Sequence, residues 1–358
     1  MQKHPLAAPL ITLWFFASIF AVLIYGREIL IPVSIAILCT FLLRPASKKL
    51  IAHHIPKSLA HIAVILGLVI GVATLVAVLS FALSGFVRDL PQYADNIVTN
   101  VGIMKNHITN LTGISAPDQT EWIRENINLL EIGSQNLPKI FSATTSTAAG
   151  AALVFICTFF FLYYSTKFKK FILKLTQKRA DARMEKITDK ISKSIPSYLI
   201  GVLIVMGILS VINTFGFWIV GVKNPLFFGI IVSVLNVIPY VGTAIGFGFV
   251  VIFTLLTQSI GTAIAVIALF IIIQFIDNNI LTPKIAAGQI NVNPLAAILG
   301  ILVGGIVWGI VGMIIAIPIL GIIKIFCDNT DGLEAFGYLI GTEGKEEQEL
   351  DVPFSKKS

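Results

Sequence analysis

The apolar residues of this chain fall into long blocks, and short polar stretches separate them. The blocks run over 10–25, 29–43, 59–86, 143–164, 198–222, 225–256, 261–280 and 293–326. A bilayer core of about 30 Å takes roughly 20 helical residues to cross, so the pattern predicts an all-α polytopic membrane protein with about eight hydrophobic segments. Lys3 and His4 precede the first block as they would in a signal peptide. No small-x-small cleavage site follows, so the first two blocks read as an uncleaved helical hairpin. The sixth and eighth segments are longer than one straight crossing needs, and both begin Asn-Pro-Leu, at Asn224-Pro225-Leu226 and Asn293-Pro294-Leu295. A pair of this kind suggests diverged copies, each broken or re-entrant.

The stretches between the blocks divide the chain further. After the spans within 1–86, residues 87–142 turn polar, with Leu90, Tyr93, Ile97, Val101, Met104 and Ile108 at helical spacing. A second such set is Trp122, Ile123, Ile127 and Leu130, beyond a break at Gly113 to Pro117, which predicts a small amphipathic extracytoplasmic insert. A span over 143–165 leads into 166–196, a basic segment from Lys167 to Lys193 whose apolar positions Phe168, Phe171, Ile172 and Leu175 recur every three or four residues. This reads as an amphipathic cytoplasmic linker lying against anionic lipid headgroups, with Pro196 just after a helix start at Ser194. Residues 197–327 form the carboxy-terminal membrane core, and 328–358 an acidic cytoplasmic tail.

Composition supports the membrane assignment: 56% of residues are hydrophobic and only 13% charged, far more apolar than a typical soluble domain of this size. A net charge of +7 raises the question of nucleic acid. The cations, however, cluster in two short connections, one with Arg44, Lys48, Lys49 and Lys57 and the other in the linker, and the side chains that interleave with them are mostly aliphatic, as on an amphipathic helix, and do not form a run of stacking aromatics. Positive-inside orientation accounts for them, placing both termini in the cytoplasm. His53 and His54 have no companion ligand and read as a solvated pair. Cys39, Cys157 and Cys327 show neither disulfide nor zinc spacing, and no cofactor or metal site is expected.

Polar chemistry enters the apolar blocks at two places. In Asn236-Val237-Ile238-Pro239-Tyr240-Val241-Gly242, Pro239 removes a donor and leaves carbonyls one turn earlier without a partner, a gap that Asn236, Tyr240 and Thr243 are placed to repair. Broken helices of this kind build transporter sites, although a proline kink tolerated by neighbouring helices is an equal alternative. In the seventh segment Gln274, Asp277 and Asn278 share a helical face, followed by Asn279, Pro283 and Lys284. An intramembrane carboxylate points to a proton, a monovalent cation or a polar solute. The alternative is an interfacial cap in which Asp277 pairs with Lys284. Asn213, in the fifth segment, is a buried amide open to packing or pathway roles. Glycines 300, 304, 305, 309 and 312 in the last segment suit close helix packing, including packing against another subunit, or a re-entrant loop that turns inside the protein.

The run Asn236 to Gly242, followed by Gln274, Asp277, Pro283, Gly288, Pro294, Gly304-Gly305, Gly309, Gly312 and Pro318, resembles the autoinducer-2 exporter-like family of bacterial inner-membrane proteins. Thr243 and Val202 depart from that family's pattern, in which a proline and a polar residue often stand. The resemblance implies a secondary transporter exporting a small polar signalling molecule, a Na⁺(Li⁺)/H⁺ antiporter as the alternative, and a homo-oligomer. An oligomeric channel and a membrane scaffold are the rivals from other classes. No Gly-x-x-x-x-Gly-Lys-Ser/Thr loop is present to use ATP directly, and no catalytic His or Cys constellation supports an enzyme.

Overall fold

The computed structural model describes residues 7–112, 144–175, 181–239, 241–285 and 290–342, and among these every regular element is helical. In order they are α1 Ala7–Tyr25, α2 Arg27–Ala52, α3 Lys57–Thr112, α4 Thr144–Tyr163, α5 Ser165–Leu175 and α6 Asp181–Val220. Then come α7 Pro225–Leu235, α8 Val241–Thr257, α9 Ile260–Ile276, a π-helical turn Asp277–Leu281, α10 Thr282–Ile285, α11 Pro294–Cys327 and α12 Glu334–Ile340. Helix is what a chain in hydrocarbon must form, because only helices satisfy every backbone donor and acceptor within the segment. Five of these helices are long and apolar enough to cross a membrane, and α4 with α5 forms a sixth candidate bent by 65°. The predicted all-α polytopic architecture is therefore present. The contacts divide the chain into two compact units, residues 1–65, 150–200 and 286–358 in one and 66–149 and 201–285 in the other.

In the first unit α11 is not a straight rod. Trp308 (φ −131°) and Gly309 (φ +61°) leave helical geometry, and the chain doubles back there. The arms then meet at their glycines: a Cβ on Gly312 would overlap the carbonyl of Gly304, and one on Gly305 would lie 2.6 Å from Met313 Cε. Gly309 supplies the positive φ that the turn requires. The Trp308 indole donates to Leu23 O at 2.8 Å and fixes the turn against α1. At the other end Asn293 Oδ1 accepts from Ala296 N at 2.8 Å, with Pro294 at the first helical position. Asn293 also donates to Leu339 O and Gly341 O, which docks α12.

The second unit holds the other doubled segment. At about 1.5 Å per residue, α7 (11 residues) and α8 (17 residues) each fall short of a bilayer core. They lie back to back, with Gly242 directly against the Leu235 carbonyl and Gly246 against Val232. Aromatic rings fill the space around them: Phe86 stacks on Phe227 at 4.9 Å, Phe228 meets Phe253 at 4.7 Å and Phe247 meets Phe270 at 4.6 Å. The entry to α7 is tied to α3, since Asn224 Nδ2 donates to Tyr93 Oη at 2.7 Å and to Asp89 Oδ2 at 3.1 Å. Burial, with the negative charge of Asp89 beside it, pushes the Tyr93 phenol up to about 12, so it stays a neutral partner.

Several sequence expectations change in detail. Helical hydrogen bonds run through Gly26 (Gly26 N to Val22 O, Leu30 N to Gly26 O), so the first two segments join at a one-residue bend without the loop a hairpin needs. The first basic connection is largely the end of α2, which passes through Pro45 and places Arg44 against Ser192 at 3.0 Å. The apolar span ends near Asp89, close to the expected boundary, but α3 runs on from it into the first amphipathic set of the insert without a break. Residues 113–143, which carry Trp122, lie outside the described residues. Pro196 does not start a helix either. It sits inside the 40-residue α6, buried next to Ile195, where packing outweighs the roughly 3 kcal/mol cost of an interior proline. Gly300, Gly304, Gly305 and Gly312 pack against the opposite arm of α11, as a re-entrant turn requires, and Gly309 lies at the turn itself.

These contacts separate two glycines of the same chemistry. Gly312→Ala should destabilise the purified protein by about 1–3 kcal/mol through overpacking. Gly207→Ala, at a helical site with nothing within 4 Å, should be neutral or stabilising. Thermal unfolding followed by tryptophan fluorescence checks both, and equal effects at the two sites would mean that the arms of α11 are not packed as described.

Candidate functional site at a broken helix

Pro239 breaks the sixth segment as its sequence suggests, but the backbone repairs itself differently. The carbonyl four residues before it, Leu235 O, accepts from Ile238 N at 3.0 Å, and Val234 O accepts from Val237 N at 3.1 Å. Two tight turns thus replace the lost helical bond, and Gly242 N returns to Ile238 O at 2.9 Å. The side chains expected to patch the backbone are free for other work. Gly242 is what allows this closure, since any Cβ there would overlap Leu235 O. Tyr240 lies outside the described residues.

The freed side chains build a chain of hydrogen bonds. Thr243 Oγ1 donates to Asn236 Oδ1 at 2.6 Å, Asn236 Nδ2 donates to Asp277 Oδ2 at 3.1 Å, and Thr282 Oγ1 donates to Asp277 Oδ1 at 2.7 Å. Asp277 is only 4% exposed and opens the π-helical turn, a distortion often found at functional sites. Both carboxylate oxygens are thus held by neutral donors. Among the described residues Asp277 has no ion pair, and Lys284 is exposed to solvent or lipid instead of reaching it. The interfacial cap paired with Lys284 is not what forms.

The other expected members of the cluster do not join. Ile273 and Asp277 lie on the buried face of this segment, whereas Gln274 Nε2 donates to Asn278 Oδ1 at 2.8 Å and Asn279 Nδ2 to Phe275 O at 2.9 Å, both on the exposed face. Spacing alone placed Gln274, Asp277 and Asn278 together; the apolar packing of α9 decides which of them turns inward. Pro283 is exposed. Thr282, which its sequence position does not single out, is a direct partner of the carboxylate. A hydroxyl five residues after an intramembrane aspartate is a signal that only a π-helical register makes meaningful.

Asn213 belongs to the same hairpin from the side of α6. Its Nδ2 donates to Ser233 Oγ at 2.9 Å, Ser233 in turn donates to Gly229 O, and Gly229 lies so close to Thr214 that only hydrogen fits at its α-carbon. Asn213 Oδ1 is buried without a partner. Such an orphan acceptor costs about 1–3 kcal/mol, so a donor or cation arriving there would be favoured. Every side-chain acceptor in both groups is oxygen. That set suits a hard monovalent cation, a proton or a hydroxylated solute, and not a soft metal.

The family model described as AI-2E family transporter matches residues 10–332. Among curated relatives, YrrI of Bacillus subtilis (strain 168) is 28% identical over 314 residues, covering 84% of this chain and 86% of its own, and its name states transport without a substrate. A transport protein of Borreliella burgdorferi is 26% identical, covering 87% of this chain and 84% of its own. The AI-2 transport protein TqsA of Escherichia coli (strain K12) is 22% identical over 332 residues, 90% of this chain and 92% of its own. A broken, carboxylate-bearing hairpin in a multi-pass helical chain and a match over almost its full length lead to one assignment: this protein belongs to the AI-2E transporter family, whose members carry solutes across bacterial membranes.

Proposed function

We propose that the chain is a secondary transporter of a small polar solute in which Asp277 binds the coupling proton or monovalent cation. The observation that carries this reading is the burial of Asp277 beside the hairpin break with two neutral donors and no ion pair among the described residues. Burying an unpaired carboxylate costs several kcal/mol. Two hydrogen bonds to the charged group return roughly 1.5–3 kcal/mol each, a total comparable to that cost, but they bring no counter-charge. A proton or a bound cation would supply that counter-charge, and the site would then change charge between its loaded and empty states. That change is what coupling to an ion gradient requires. The relative named for autoinducer-2 transport supports a hydroxylated signalling molecule as the solute. The oxygen-only donor set supports a second reading, Na⁺(Li⁺)/H⁺ exchange.

Proteoliposomes test the proposal directly. With a panel of polar solutes and of Na⁺, K⁺ and Li⁺, Asp277→Asn should keep the shape and lose gradient-driven flux by about tenfold or more, the scale of ordinary coupling energies. Thr282→Val, which removes one donor and keeps the charge, should weaken flux less. Undiminished flux in Asp277→Asn would exclude the coupling role. Collapse of a pH gradient on addition of Na⁺ or Li⁺, with no solute movement, would select exchange.

Orientation is part of the same proposal, with Lys48 and Lys174 cytoplasmic and Trp122 outside. In a background lacking Cys39, Cys157 and Cys327, an impermeant thiol reagent added to intact cells should label Trp122→Cys and spare Lys48→Cys and Lys174→Cys. Labelling with the opposite pattern would invert the topology.

A further inference from the structure

Within the first unit α4 leaves its apolar stretch, bends by 65° and becomes the basic, amphipathic α5. This is the geometry of a span turning onto the membrane surface. In the elbow, between α2, α5 and α6, lies a cavity of about 370 Å³. Its two ends differ in chemistry. Phe41, Phe161, Phe168, Ile172 and Ile191 form an apolar wall, and Phe168 and Ile172 are partly open at its mouth. At the other end stand Arg44, Lys169, Ser165, Thr188 and Ser192.

The cations at that end are incompletely matched. Lys169 Nζ is bonded to Asp189 at 2.6 Å, but Arg44 has only a hydroxyl partner, Ser192 Oγ at 3.0 Å, and no ion pair among the described residues. Its Nε is buried with no hydrogen-bond partner. Lys193 sits one helical turn beyond Asp189 on α6. One carboxylate therefore faces three cations, and a guanidinium donor is left open in a cavity floored by hydroxyls. A planar guanidinium with a free donor favours a phosphate oxygen. The apolar wall favours alkyl chains.

We infer that this cavity is a binding site for an anionic phospholipid, its phosphate on Arg44 and Lys169 and its acyl chains along Phe41, Phe161 and Ile172. A free inorganic anion would satisfy the cations but gain nothing from the wall, and a zwitterionic lipid would carry its own cation to the crowded end. In the orientation proposed above the site faces the cytoplasmic leaflet, although its chemistry does not depend on that orientation. The transport proposal and this one stand on separate residues.

The test is lipid retention by the purified full chain, delipidated in detergent and measured by native mass spectrometry after adding phosphatidylglycerol, phosphatidylcholine or inorganic phosphate. Phosphatidylglycerol should be retained in preference to phosphatidylcholine. Arg44→Gln should lower phosphatidylglycerol retention by about fivefold, the effect of one cation near a lipid headgroup, while Lys223→Gln, which removes a charge elsewhere, should leave it unchanged. Ile172→Trp, which fills the wall and keeps every charge, should lower retention of both lipids, and it decides the matter if Arg44→Gln loses cooperative unfolding. Equal retention of the two lipids, wild-type retention in Ile172→Trp, or inorganic phosphate displacing phosphatidylglycerol would overturn the site.

Discussion

A backbone polar group in hydrocarbon must find its partner inside the protein, and this constraint governs both interrupted segments. Around Pro239 the chain meets it with tight turns, Leu235 O taking Ile238 N and Ile238 O taking Gly242 N. Those bonds close only if Gly242 passes directly over Leu235 O. Once the backbone has satisfied itself, the side chains of Asn236 and Thr243 are no longer needed for repair, and they reach Asp277 as a linked pair. The site is thus a consequence of how the break is closed.

The last apolar segment answers the same constraint with different residues. Gly309 takes the positive φ at the turn, and Gly304 and Gly312 bring the two arms into backbone contact. Both segments start from asparagine followed by proline, yet their caps differ. Asn293 is extended and caps its helix through Oδ1, whereas Asn224 is left-handed and spends its side chain on Tyr93 and Asp89. Two hairpins with the same opening tripeptide therefore carry different duties at their entry. Among the described residues, only the one at Asn236 ends beside a buried carboxylate.

Family membership and site geometry bear on function at different depths. The match over residues 10–332 and the doubled, polar-bearing helices agree on transport across a membrane. The oxygens gathered at Asp277 and Asn213 are where the proposed coupling would act. Among the described residues, Asp277 has neutral donors and Asn213 Oδ1 has no partner, so neither is matched by a fixed counter-charge. A site of that kind would have a physical basis for coupling that a merely polar pore lining lacks.

The sequence by itself determined the elements. Hydrophobic block length prescribed membrane helices, Pro239 and the long sixth and eighth segments announced the breaks, and an aspartate inside an apolar run marked the candidate site, because these signals are local and their cost in hydrocarbon is large. Continuity and partnership were decided only by the tertiary structure. Pro196 reads as part of a helix start but lies inside α6, since burial of its neighbours outweighs one missing donor. Gln274, Asp277 and Asn278 share a face by spacing, but packing of the apolar residues of α9 turns Asp277 inward and leaves the other two to bond each other outside. Thr282 enters the candidate site through a π-helical turn that no periodicity announces, and Gly304 meets Gly312 across the turn of α11, because which surfaces meet depends on where the chain reverses and not on composition.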